Sequence, residues 1–286
     1  MFKTNYYYIV AGLADLIPNQ EKLTMSLLEF KENMKEHLKV SDYLLLEKIF
    51  LNIDNQNILN NLQKNTAHSS KTNFLNGGKY SQDEIELKIK DLSFDEEYIN
   101  RFVSAFQAET AIFDNGLSWE DQLASLYFDM MINHENEFLS SYFEFDMNVN
   151  NIVTALNSRR FEIADKNVFV GQNSVSEALK QSSLKDFGLS SEFPMIEKLV
   201  SIFEESNMVR RETAIDKIKW DFLDDLNTFN YFTIEVILAH VIKLRMLERW
   251  MLLDAKTGKQ LFAQLVSDLN SSFRFSKEFE IIKRNS

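Results

Sequence analysis

The run Ile234-Glu235-Val236-Ile237-Leu238-Ala239-His240-Val241-Ile242-Lys243-Leu244 decides the fold. It is apolar nearly all the way round a 3.6-residue spiral, the mark of a helix covered on every side. Such a helix needs others around it, and the flanking sequence supplies them. Upstream, Ile215, Ile218, Phe222 and Leu226 form an apolar stripe at helical spacing. Before it, Met195, Ile196, Leu199, Val200 and Phe203 form another, opened by Pro194 as a first-turn proline. Downstream, Gly258 is placed to break the central helix, and Leu261 to Phe273 gives a final one. Further back, Ser118 with Asp121 resembles a capping box behind the turn Asp114-Asn115-Gly116. Trp119, Leu123, Leu126, Tyr127, Met130 and Phe138 then recur on one helical face.

Towards the N-terminus, helices are expected from Thr24 to about Leu38 and from Ser41 or Asp42, either of which can cap it, to about Leu62. Ser93 is a further start signal. Asn65 to Gly78 is the most loop-like stretch, polar and closed by Asn76-Gly77-Gly78. The opening Tyr6-Tyr7-Tyr8-Ile9-Val10-Ala11-Gly12-Leu13 suits strand or helix by propensity, and Pro18 and Asn19 end it. The chain has only seven glycines and two prolines in 286 residues. Hairpins and sheet turns draw on those residues, while helices lose stability to both. The expectation is an all-α chain, 1–286 as one helical domain with at most token β and a candidate sub-boundary near 65–80.

The net charge is −12, from 43 acidic against 31 basic residues. That balance disfavours nucleic acid and anionic lipid. It suits a basic protein partner, although a high acidic charge more often means no more than solubility. The absence of cysteine removes disulfides, thiolate nucleophiles and cysteine-type zinc sites, and fits a reducing compartment. No stretch approaches the roughly 20 apolar residues of a bilayer span. The apolar run after Lys3 is short and tyrosine-rich for a signal peptide, so it is read as mature, cytoplasmic protein.

The residues for chemistry do not assemble into a known pattern. His37, His68, His134 and His240 lie far apart; none has a histidine at i+4 or an acid three residues before it. That excludes the HExxH helix and the Glu-x-x-His of di-metal bundles. Glu135, Glu137, Glu144 and Asp146 are acidic but do not share one helical face, so a solvated surface is the simpler reading. No glycine-rich phosphate loop and no Gly-x-Ser-x-Gly elbow occurs. The expectation is no catalytic, cofactor-binding or metal-binding residue, and a protein that is not an enzyme.

Two constellations stand out. The first is Tyr142-Phe143-Glu144-Phe145-Asp146 followed by Asn148, Asn151, Ile152, Thr154, Leu156, Arg159 and Arg160. The second is Arg211-Glu212, Ile215-Asp216 and Trp220, leading into Lys243-Leu244, Arg249-Trp250, Leu253-Asp254 and Gly258. Glu212 and Asp216 are four apart, so both carboxylates project from one side of a helix. They can pair with Arg159 or Arg249 across helices, form a catalytic pair, or meet a partner. Trp220 and Trp250 follow apolar stripes and are expected in the interior as packing anchors. Asn151, Arg159, Glu212, Asp216, Trp220, Arg249 and Trp250 are thus the structural or partner-contact candidates.

These residues, with Tyr6 to Leu16, Arg211-Glu212-x-x-Ile215-Asp216-x-x-x-Trp220 and Arg249-Trp250-x-x-Leu253-Asp254-x-x-x-Gly258, resemble a bacterial family of unassigned function encoded among V-type ATPase subunits. The chain is also remotely similar to the C-type (or d-type) subunit of the V- and A-type ATPases. Asn151, Ile152, Thr154, Leu156 and Arg159 match a segment of that family, with Asn148 in place of its aspartate and Asn157 in place of its arginine. Glu212 and Asp216 match its acidic helix start, whereas His240 replaces a tyrosine and Arg245 and Leu247 replace two glutamates. The resemblance implies a funnel of helical pseudo-repeats that seats the rotor shaft on the membrane proteolipid ring. Its implied partners are those shaft and ring proteins, with no nucleic acid and no direct membrane insertion. The protein is expected at the inner membrane only through them. A stand-alone helical adaptor or regulator is the alternative.

Overall fold

The computed structural model describes residues 4–18, 20, 22–64, 73–162 and 168–272, with side chains through Leu253. Among them are eleven helices and no strand: α1 (Tyr7–Ala11), α2 (Leu27–His37), α3 (Val40–Gln63), α4 (Gln82–Asp91), α5 (Glu97–Gln107), α6 (Trp119–Ile132), α7 (Glu137–Arg160), α8 (Ser174–Gln181), α9 (Ile196–Ile202), α10 (Met208–Leu226) and α11 (Ile234–Ser272). The expected all-α architecture is the one observed.

Helix α11 is the centre, as its composition requires. Ile237, Leu238, Val241 and Leu244 are buried in one cluster with Leu46 and Phe50 of α3, Phe102 of α5, Leu126 of α6 and Phe143 of α7. A second apolar cluster forms where the other half of α7, through Val149, Ile152 and Leu156, meets Leu179 of α8, Leu199 of α9 and Ile218 of α10. Helices α7 and α10 therefore serve both clusters, each turning one half of its length to each. Of the 65–80 region, 65–72 lie outside the described residues. Beyond them, Tyr80 is buried in the same cluster as α3.

Several helix limits differ from expectation, each for a physical reason. Helix α2 starts at Leu27, with Ser26 and Glu29 in a reciprocal capping box. Helix α3 starts at Val40 with Lys39 at the cap. Asp42 lies inside the first turn, where its carboxylate accepts the Tyr6 hydroxyl, so a tertiary contact has claimed a cap-forming side chain. Ser93 opens no helix. It closes α4, its amide donating to Lys88 O at 3.3 Å, and α5 begins at Glu97. The stripe from Trp119 to Phe138 spans two helices, because Asn136 caps α7 through the Leu139 amide at 3.0 Å and Phe138 belongs to the new helix. Pro194 sits two residues before α9 rather than in its first turn. Helix α11 continues through Gly258 to Ser272, so Leu261 opens no separate helix, and Phe273 lies outside the described residues. A glycine inside a helix costs about 1 kcal/mol relative to alanine, which weakens a helix without ending it.

The first segment, ambiguous in sequence, forms the short helix α1. The Tyr6 amide donates to Phe232 O at 2.6 Å, which ties the start of the chain to the loop before α11.

Candidate functional site

Helices α3, α6, α7, α10 and α11 line a half-open cavity of about 480 Å³. Helical periodicity delivers its wall. Tyr142, Asp146 and Asn150 recur every four residues along α7. Asp216 and Lys219 come from α10, and Arg245 and Arg249 stand four apart on α11. Asn52, Asn55, Gln56 and Asn60 face them from α3. Part of each constellation singled out in the sequence thus reaches one place.

The charges there are largely matched across helices. Lys219 Nζ lies 2.5 Å from Asp146 Oδ1 and donates to Asn150 Oδ1 at 2.8 Å. The Asp216 side chain, only 4% exposed, accepts from the Arg249 guanidinium and from Trp250 Nε1, the latter at 2.6 Å. Glu212 stands farther off, 3.9 Å from Arg249 Nη1. Burial alone would lower the Arg249 guanidinium, but Asp216 and then Glu212 outweigh it and hold it above its ordinary value. The ring of Trp220 stacks on that of Trp250 at 6.0 Å, with Lys243 Nζ 4.8 Å above Trp220. Both tryptophans are buried. Of the cross-helix pairings open to Glu212 and Asp216, the structure takes the one with Arg249.

Asn151 and Arg159 lie elsewhere, by the second cluster. The Asn151 amide donates to Val170 O at 2.8 Å and accepts from Val170 N at 3.1 Å, replacing a backbone partner for that loop. Arg159 donates to Leu184 O at 2.5 Å and Ser182 O at 2.6 Å, its guanidinium 3.6 Å from the Phe187 ring centre. Of the acidic group in the same region, Glu135, Glu137 and Glu144 are exposed, and Asp146 alone reaches the cavity. His240 packs on Phe30 at 5.0 Å, and burial, followed by the charge of Lys243, lowers its imidazole to about 4. Among the described residues, no three acids or histidines are placed to hold a metal ion. Nor is any helix long and apolar enough to cross a membrane.

Sequence reasoning missed the α3 amides, Lys219 and Arg245. The signal for α3 was its polar residues at 52, 55, 56 and 60, a face of i, i+3, i+4 and i+8 within a helix otherwise rich in leucine and isoleucine.

The fold and site define a helical protein in which two charge pairs, Lys219 with Asp146 and Arg249 with Asp216, join helices around an amide-lined cavity. The chain belongs to the family described as "Protein of unknown function (DUF2764)", whose family model matches residues 3–273. No curated protein and no solved structure matches it.

Proposed function

We propose that the chain is a non-catalytic component of a V-type ATPase, similar to its C-type (d-type) subunit and linking the central rotor shaft to the membrane proteolipid ring. It reaches the membrane from the cytoplasm through those partners. The resemblance at both ends of the sequence motivates the partner. The observation that carries an interaction role is an exposed aromatic surface built where the N-terminal segment meets the loop before α11. Tyr8 is 90% exposed and Phe229 85%, and the Tyr7 ring meets Phe232 at 4.7 Å. Tyr7 and Tyr231 are also exposed. Aromatic side chains are enriched at protein interfaces, where a few such residues supply most of the binding energy. The pairing of Asp216 with Arg249 and Trp250 supports the same reading, because a carboxylate so engaged positions helices rather than a substrate.

The test is affinity purification of the tagged full chain from its native membrane. Shaft or proteolipid subunits should co-purify, and Tyr8→Ala with Phe229→Ala should lose them while melting like the parent. A normal ATPase assembled without the chain, with none of its components captured, would remove the proposal.

A further inference from the structure

The two segments that build the exposed aromatic surface, 4–16 and 221–235, contain four aspartates and one glutamate but no lysine or arginine. Cations from elsewhere answer two of the aspartates on α10. Asp221 lies 3.7 Å from Lys198 Nζ and also pairs with Lys217, and Asp224 pairs with Lys243. Asp225, the next residue, is exposed and makes no ion pair or side-chain hydrogen bond among the described residues. It stands in the last turn of α10, which holds no basic residue, so its charge lies at the negative end of the helix dipole. An aspartate in that position costs stability unless a cation meets it.

The chain keeps turning beyond α10. Thr228 N donates to Asp225 O at 3.2 Å and Asn230 N to Asn227 O at 2.9 Å, which holds Phe229 within a turn of Asp225. An unpaired carboxylate thus borders the exposed rings. The same combination is filled elsewhere in the molecule. Lys243 pairs with Asp224 and lies 4.8 Å from the Trp220 ring centre. Lys79 Nζ is 2.7 Å from Asp95 Oδ2 and 5.3 Å from the Tyr80 ring centre. In both, one lysine is held by a carboxylate and by the face of a ring. Asp225 with Phe229 offers such a seat, and no lysine among the described residues takes it.

We infer that the partner of this surface presents a basic amphipathic protein segment, its lysine or arginine seated against Asp225 and Phe229 and its leucine-like side chains against the rings around Tyr8. The inference rests on reading the aromatic surface as an interface, but not on which protein meets it. Rings alone would accept any apolar partner. The uncompensated aspartate at their edge selects a basic one.

The test follows fluorescence anisotropy of a labelled helical peptide of leucine and lysine with the full chain, beside the same peptide with glutamine for lysine. The lysine peptide should bind roughly fivefold more tightly. Asp225→Lys should weaken that binding roughly tenfold, yet raise the melting temperature by about 1–3 °C, since the helix end gains a favourable charge. Asp91→Lys makes the same change of net charge at the exposed end of α4, which packs on α3, and should leave binding nearly unchanged. Tyr8→Ala with Phe229→Ala should abolish binding. If that double variant binds like the parent, the interface reading falls and this inference with it. If it loses binding while Asp225→Lys matches Asp91→Lys, the interface stands and the basic partner is overturned. Equal binding of the two peptides, or none of either, overturns it as well.

Discussion

At the scale of single residues, Asp216 concentrates the most interaction in the fewest atoms. It joins α10 to α11 through two donors that have different needs. Arg249 is about half exposed and can turn to water, whereas the Trp250 indole N–H is inside and cannot. Asp216→Ala should therefore lower stability by about 1–3 kcal/mol, mostly through the stranded indole donor. Trp250→Ala should cost about 3–5 kcal/mol, because it removes a buried ring together with its stacking on Trp220. Urea unfolding of both variants measures the difference, and parental midpoints would contradict the assignment. His240 gives a prediction of the opposite kind, in pH. Its imidazole titrates near 4 in the fold and near 6.5 when unfolded. Between those values the unfolded chain takes up a proton that the fold refuses, so stability is lost as pH falls from 6.5 towards 4. His240→Phe should lose less stability than the parent between pH 7 and pH 5, by thermal melts at both. The Asp216–Arg249 pair was open to the sequence because both residues lie on strong helical stripes. Arg159, a structural or partner-contact candidate in the sequence, has partners that the sequence could not name, because they are backbone carbonyls at Ser182 and Leu184, which carry no side-chain signature.

At the scale of elements, the turn joining α3 to α4 shows how backbone and buried charge are fitted together. Asp54 of α3 is fully buried, and its carboxylate accepts from Lys79 N at 2.8 Å and Tyr80 N at 3.1 Å. From the other side, Lys31 Nζ donates to Gly77 O and Gly78 O, each at 2.8 Å. Burial pushes the Asp54 carboxyl up to about 6, against the lowering by those two amides. Glycine at 78 is required by close approach, since a Cβ there would stand 2.8 Å from Asp54 Cγ. Gly78→Ala should drive the carboxylate off its two amides and lower stability by about 1–3 kcal/mol. An unchanged denaturation midpoint would show that the turn adapts instead. Asn76-Gly77-Gly78 could be read as a turn from composition alone, but its anchoring on Asp54 could not, because nothing local marks a buried aspartate as an amide acceptor. Helix α4 was legible and was missed: Ser81 and Glu84 form a complete capping box, written in the sequence as Ser-x-x-Glu. Where local signals and tertiary contacts agree, as along Ile234 to Leu244, the reading holds. Where a cap-forming residue is taken by a distant partner, as Asp42 is by Tyr6, the boundary shifts.

At the scale of the whole molecule, the acidic balance and the aromatic surface make separable contributions to association. A chain at −12 is not drawn to anionic lipid, so the membrane attachment proposed above would have to run through protein. Opposite charge on a partner accelerates encounter, whereas buried aromatic contacts set how long a complex lasts. Exposed charges are screened beyond about 10 Å at 0.1 M salt, while apolar burial is little affected by such concentrations. Two rate constants thus report on two parts of the surface. Under the proposed rotor role, raising salt from low to moderate concentration should slow association of the full chain with rotor-shaft proteins and leave dissociation nearly unchanged. Tyr8→Ala should do the reverse, hastening dissociation with little effect on the association rate. Surface-immobilised shaft proteins and purified chain, followed in real time at two salt concentrations, separate these effects. A salt-independent association rate would exclude steering by the acidic surface. Unaltered dissociation of the Tyr8→Ala variant would place the contact away from the junction of α1 with the loop before α11, and with it the interface argued from that junction would fall.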